Sequence, residues 1–123
     1  MSVPYVVVAL ITIAVNAFSG VAAITRFAPI MRTLRPALAS AGVPESWLIF
    51  PIGTLKTAGA LGLALGLLGV PLVGTAAAIG LVLFFVCAAY THIRVADYSP
   101  QFCLGTGFFL PLAIATLVLG VAD

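Results

Sequence analysis

The stretch PIGTLKTAGALGLALGLLGVP, residues 51–71, decides the fold, because it is almost entirely apolar yet contains Lys56. A membrane-spanning helix needs roughly 20 mostly apolar residues. A charge at the centre of the bilayer costs at least ~2.5 kcal/mol on insertion scales, so such residues usually face the interior of a bundle and have partners. The stretch therefore predicts a membrane helix that is packed against other helices, with a polar partner for its lysine.

The composition of the whole chain agrees with a membrane location. Of its 123 residues, 63% are hydrophobic and 7% are charged, whereas a soluble domain carries about a quarter charged residues. We therefore predict an integral membrane protein whose main partner is the lipid bilayer. The five cations are scattered along the chain, which argues against a nucleic-acid interface, since that needs clustered Lys and Arg.

Four stretches are long and apolar enough to span the membrane, and together they predict an all-α, integral membrane antiparallel four-helix bundle over residues 1–123. The spans are predicted at about 3–25, 46–68, 72–91 and 104–121. The first is too long for a usual signal-peptide core and lacks a basic start, so we interpret it as a retained helix. Residues 27–44 predict an interfacial helix with arginines toward the headgroups, limited in length by Pro36.

The cations also predict an orientation. Arg26, Arg32 and Arg35 lie in the first connection and Arg94 lies in the third, so all four are on one side of the membrane. The positive-inside rule places that side, with the longer loops, in the cytoplasm and both termini outside.

Depth relates Lys56 to a polar residue of the first span. Lys56 lies nine residues beyond Trp47, which is about 13 Å along a helix, and Asn16 is at a similar depth. Asn16 belongs to a stripe of polar and small residues at helical spacing, Thr12, Asn16, Ser19 and Ala23. We expect the Asn16 carbonyl to accept a hydrogen bond from Lys56, although interhelical packing explains such an Asn equally well.

The third span ends with a second candidate group. Phe85, Ala88, Ala89 and His92 share one helix face, and histidine changes its charge near neutral pH. His92 is therefore a candidate for proton transfer or ligand binding. The alternative is a histidine that caps the helix end, where a cation suits the helix dipole.

Charged residues near the first and third connections predict an ion-pair cluster. Its members would be Arg26, Glu45, Arg94 and Asp97. The alternative is a charged rim that gates or docks a partner at the mouth of the bundle. The sequence has one histidine and no metal-ligand spacing, so no metal site is predicted.

Two segments together carry a resemblance to a known family. They are VPESWLIFPIGTLKTAGALGLALGL, residues 43–67, and AAAIGLVLFFVCAAYTHIRVAD, residues 76–97. The chain resembles the DoxX-like family of small bacterial membrane proteins, in which a lysine, a small-residue ladder and a His-x-Arg-x-x-Asp-like helix end recur. Lys56, His92, Arg94 and Asp97 match those motif positions. The resemblance implies a four-helix bundle in the bacterial cell membrane and an association with quinone-linked oxidation or membrane oxidoreductase complexes.

Three functions remain open on the sequence. The first is an accessory or anchoring subunit with lipid or quinone contact, whose partner would be a membrane or peripheral oxidoreductase. The second is an intramembrane enzyme, such as an isomerase, cyclase or quinone-linked oxidoreductase. Its catalytic residues would be Lys56 and His92, and its ligand-binding residues would be Asn16, Lys56, Phe85, His92, Arg94 and Asp97. A small transporter ranks last, because it needs a continuous polar path.

The glycines predict close helix packing. Gly62 and Gly66 on the second span, with Gly74 and Ala78 on the third, form small-xxx-small ladders that let helix backbones approach. Such ladders also permit a homo-oligomer.

Overall fold

The computed structural model describes residues 1–98 and 100–122, apart from the side chains of Thr33, Ala37, Ala41 and Gln101. The predicted domain over residues 1–123 includes Ser99 and Asp123, which lie outside the described residues. The described part is helical, with helices α1 Val3–Thr25, α2 Ala28–Ala41, α3 Thr54–Leu67, α4 Val73–Arg94, α5 Pro100–Leu104 and α6 Leu110–Ala122.

Four segments are long and apolar enough to cross a membrane, as the sequence predicted. They are Val3–Thr25, Glu45–Leu67, Val73–Arg94 and Phe102–Ala122. In the bundle, α1 packs against α3, α3 against α4, α4 against α6, and α6 against α1. This ring of neighbours confirms the all-α membrane bundle, and short α2 and α5 lie against each other beside it.

The second span is interrupted, which the sequence did not predict. A 3₁₀ turn over Glu45–Leu48 and a π turn over Ile49–Gly53 precede α3, and Phe50 has an extended backbone (φ −142°, ψ 132°). Pro51 follows, and a proline disfavours the helical conformation of the residue before it, which agrees with the extended backbone of Phe50. Across the interruption, the Ile49 carbonyl accepts hydrogen bonds from the Thr54 backbone N–H and, at 2.6 Å, from the Thr54 hydroxyl.

A helix, α2, forms in the segment predicted to be an interfacial helix, but Pro36 does not limit it. The helix runs through Pro36 and ends at Gly42, whose φ of 71° is left-handed. Leu34 and Leu38, on either side of the proline, pack against a buried cluster of Ala23, Met31 and Leu48. This packing holds the helix together on both sides of the proline and offsets its missing hydrogen bond.

Glycines set the closest approaches between the spans. A Cβ added at Gly66 would lie 2.7 Å from the Gly74 Cα, and one added at Gly20 would lie 2.9 Å from the Gly53 carbonyl oxygen. The α3–α4 and α1–α3 contacts are therefore backbone-to-backbone contacts that only glycine allows. Gly66 and Gly74 of the predicted small-residue ladder therefore pack two helices of the same chain against each other.

Replacement of Gly66 tests this packing. We expect Gly66→Ala to lower the free energy of unfolding by about 1–3 kcal/mol, because overpacking forces two backbones apart. Gly80→Ala on α4 is the matched control, since a Cβ there meets no atom within 4 Å. Thermal unfolding in detergent compares the two, and equal stability of both variants would contradict the close approach.

Candidate functional site

Lys56 lies in the first turn of α3 and is buried, with 8% of its surface exposed. Its Nζ donates a hydrogen bond to the Ser19 hydroxyl of α1 at 2.9 Å. The two groups meet because α1 and α3 touch at Gly20 and Gly53, one residue and three residues away from them. The close approach of the two helices thus supplies the lysine with its polar partner.

Aromatic rings surround the rest of the ammonium group. Its Nζ lies 5.8, 5.6 and 5.0 Å from the ring centroids of Phe84, Phe85 and Phe109. Phe85 and Phe109 stack on each other at 5.4 Å. A cation within about 6 Å of a ring is attracted by about 0.5–2 kcal/mol. No carboxylate of the described residues lies within ion-pair distance of Lys56, so the rings and one hydroxyl are its described surroundings.

A cavity of about 460 Å³ adjoins Lys56, a volume typical of small-molecule sites. Its walls are mostly apolar, and α2 covers it with Leu34 and Leu38 while Phe102 borders it from α5. The polar side chains on its wall include Lys56, Thr91, His92 and Thr106. Such a cavity suits a lipophilic molecule with few polar groups.

His92 and Asp97 form a second polar point on this cavity. The His92 Nδ1 lies 3.0 Å from the Asp97 Oδ2, and the two side chains are 18% and 8% exposed. The chain reverses at Ala96 (φ 54°), and the Asp97 N–H donates to the His92 carbonyl. This left-handed helix end returns the carboxylate to the imidazole. With Nδ1 bound to the carboxylate, Nε2 is the nitrogen left to bind or exchange a proton.

The predicted hydrogen bond between Asn16 and Lys56 is wrong. The Asn16 amide donates to the Thr12 carbonyl at 3.0 Å, and its buried Oδ1 has no hydrogen-bond partner. Asn16 is not on the cavity wall. It lies beside the Thr12–Thr116 hydroxyl pair, 2.9 Å apart, which joins α1 to α6. Ser19, one turn further along the same stripe, takes the place predicted for Asn16.

The predicted ion-pair cluster of Arg26, Glu45, Arg94 and Asp97 does not form as predicted. Glu45 pairs with Arg35 at 2.9 Å on an exposed surface, and the Asp97 carboxylate contacts His92. Arg94 is exposed and is not on the cavity wall. Arg35, which the prediction left out, makes the direct ion pair with Glu45, and Arg26 acts on Glu45 only at longer range.

The structure therefore brings together three of the predicted site residues, Lys56, Phe85 and His92, around one cavity, with Asp97 behind the histidine. It adds Ser19, Phe84 and Phe109, which the sequence reasoning did not assign to the site. Ser19 was visible in the polar stripe of α1. Among the described residues, no group of three His, Cys, Asp or Glu side chains is placed to hold a metal ion.

The fold and this cavity define a small multi-pass membrane protein with a buried cation beside an apolar binding space. Residues 7–121 match the DoxX-like family, and the chain therefore belongs to that family. No curated protein and no solved structure gives a significant match.

The Ser19–Lys56 contact is testable by stability. We expect Ser19→Ala to cost about 1.5–3 kcal/mol, because a buried ammonium loses its hydrogen-bond acceptor. Lys56→Met should be neutral or stabilising, since it removes a desolvated charge that has no counter-charge among the described residues. In the Lys56→Met background, Ser19→Ala should cost less than about 1 kcal/mol.

Thermal unfolding of the two single variants and the double variant in one detergent measures this coupling. An equal cost of Ser19→Ala in both backgrounds would show that the hydroxyl does not support the ammonium.

Proposed function

We propose that the protein binds a small lipophilic molecule with hydrogen-bond-accepting groups, such as a quinone, in the cavity beside Lys56. The observation that carries the proposal is a buried lysine on the wall of a mostly apolar cavity of about 460 Å³. Ligand sites of this kind combine apolar walls with a small number of placed polar groups. The ammonium donates hydrogen bonds, and charge-assisted hydrogen bonds are the strong ones.

The spacing of the polar groups supports a ligand with an acceptor at each end. The Lys56 Nζ lies 5.6 Å from the centroid of the Phe85 ring, and His92 follows Phe85 by seven residues on α4, which is about 10 Å along the helix axis. The two polar groups therefore border different parts of one cavity. A quinone, with a carbonyl on each side of its ring, suits two separated polar groups of this kind.

Within this proposal, the protein acts as an accessory or anchoring subunit that holds the quinone or lipid for a membrane or peripheral oxidoreductase. Its small size and its family membership support that role. A bound quinone supplies the redox chemistry, while the chain orients it and shields it from water. Lys56 and His92 hold its two polar ends.

One observation favours the enzyme as a second candidate. His92, with Asp97 behind it, lies on the same cavity wall as Lys56, so a proton donor and a proton acceptor face one space. An isomerase or cyclase acting on a lipophilic substrate would use both residues. An enzyme converts its ligand without a partner protein, whereas an accessory subunit copurifies with one.

Quinone binding tests the proposal directly. We expect Lys56→Met to weaken binding of decylubiquinone to the detergent-solubilised protein by about tenfold or more, because a charge-assisted hydrogen bond is lost. Thr57→Val is the matched control: the adjacent Thr57 hydroxyl is buried, has no hydrogen-bond partner and is not on the cavity wall. Quenching of the fluorescence of Trp47, on the cavity wall, measures the affinity, and unchanged binding by Lys56→Met would reject a direct role.

We further propose that the arginine-bearing side faces the cytoplasm of a bacterial cell and both termini face outward. In a Cys87→Ser, Cys103→Ser background, an impermeant maleimide added to whole cells should label Val70→Cys and spare Ser40→Cys. Both positions are exposed and lie at opposite ends of the bundle. The reverse labelling pattern would contradict this orientation.

A further inference from the structure

A second cleft lies at the arginine-bearing end of the bundle, apart from the cavity at Lys56. It has a volume of about 430 Å³ and is lined by Arg26, Ala28, Met31, Arg32, Arg35 and Pro36. Arg26 ends α1 with a left-handed backbone (φ 55°), and the chain then turns directly into α2. The turn brings a guanidinium from the end of α1 and two from α2 to one small space.

The cleft carries an excess of positive charge. Glu45 pairs directly with Arg35 and also interacts with the Arg26 charge at longer range, while among the described residues neither Arg26 nor Arg32 makes a direct ion pair. One guanidinium group can donate hydrogen bonds to two oxygens of the same phosphate, and this planar, two-point contact makes arginine a common phosphate-binding residue. Two unpaired guanidiniums in one cleft therefore favour a phosphate group.

Apolar surface continues from the cleft into the membrane. Phe27 follows Arg26 in the chain and is 48% exposed, and its ring contacts Phe18 on α1, which is 59% exposed. Val21, which lies on α1 between Phe18 and Phe27 in the sequence, is also exposed. A free phosphate would use only the arginines, whereas a lipid would use the arginines for its headgroup and the aromatic surface for an acyl chain.

We propose that this cleft binds the phosphate of an anionic phospholipid, with an acyl chain lying along Phe18, Val21 and Phe27. Basic pockets at the ends of membrane helices suit such headgroups, and each cation near the membrane surface contributes about one kcal/mol to the attraction. The lipid then bridges the end of α1 and the start of α2. The site is independent of the quinone proposal, because its lining shares no residue with the cavity at Lys56.

The experiment titrates the detergent-solubilised full chain with dioleoyl phosphatidylglycerol, dioleoyl phosphatidylcholine or inorganic phosphate. Native mass spectrometry counts the bound lipids, and the change in unfolding temperature measures binding of inorganic phosphate. We expect saturable binding of phosphatidylglycerol, weakened about fivefold by Arg32→Gln. Arg26→Asn should weaken it similarly, since asparagine tolerates the left-handed backbone of that position.

Arg94→Gln is the matched control, because it removes one exposed cation from the same end of the bundle but outside the cleft. It should change the affinity by less than about twofold, since Arg94 does not line the cleft and salt screens exposed charges that make no direct contact. An equal loss in Arg94→Gln and Arg32→Gln would overturn the cleft and indicate diffuse surface charge. Equal binding of phosphatidylcholine would overturn the requirement for an anionic headgroup. Stabilisation by inorganic phosphate at the same concentrations as the lipid would overturn the lipid assignment.

Discussion

The ammonium group of Lys56 has to be removed from water and still be solvated, and the four spans together meet that constraint. The second span supplies the lysine, the first supplies the Ser19 hydroxyl, and the third and fourth supply the rings of Phe85 and Phe109. Their contributions, one charge-assisted hydrogen bond and several cation–π contacts, are of the same order as the ~2.5 kcal/mol insertion cost. The lysine is thus the point at which every spanning helix contributes a contact, and the backbone approach at Gly20 makes the hydrogen bond geometrically possible.

The interruption of the second span lies beside the cavity that adjoins this lysine. The backbone is extended at Phe50, and Pro51 and Ile52 of the interrupted segment line the cavity together with Leu55 of α3. The interruption also lies within two turns of Lys56, so the irregular part of the second span, the buried ammonium group and the cavity are close neighbours in the fold.

The sequence predicted the features that depend on composition and on depth along a helix. It did not predict which side chains of different helices contact each other. The number of spans, the presence of a helix in the first connection and the burial of Lys56 follow from hydropathy and helix geometry alone. Asn16 and Ser19 lie three residues apart on one stripe, about 4.5 Å along the axis, so the choice between them depends on how α1 and α3 are offset. The contact of His92 with Asp97 depends on the left-handed backbone of Ala96. Alanine does not favour that conformation, so the residue type does not predict the contact.

The distribution of polar groups separates the two halves of the bundle. Toward the termini, Thr12 and Thr116 bond to each other, and Leu63 and Leu81 are fully buried, so that half is packed closed. Toward the arginines, Lys56 and His92 border open space. A transporter needs access from both ends, and this packing opposes it. Helix α2 borders both sites, with Leu34 and Leu38 on the cavity and Arg32 on the basic cleft. In both proposals, therefore, the ligand lies against α2.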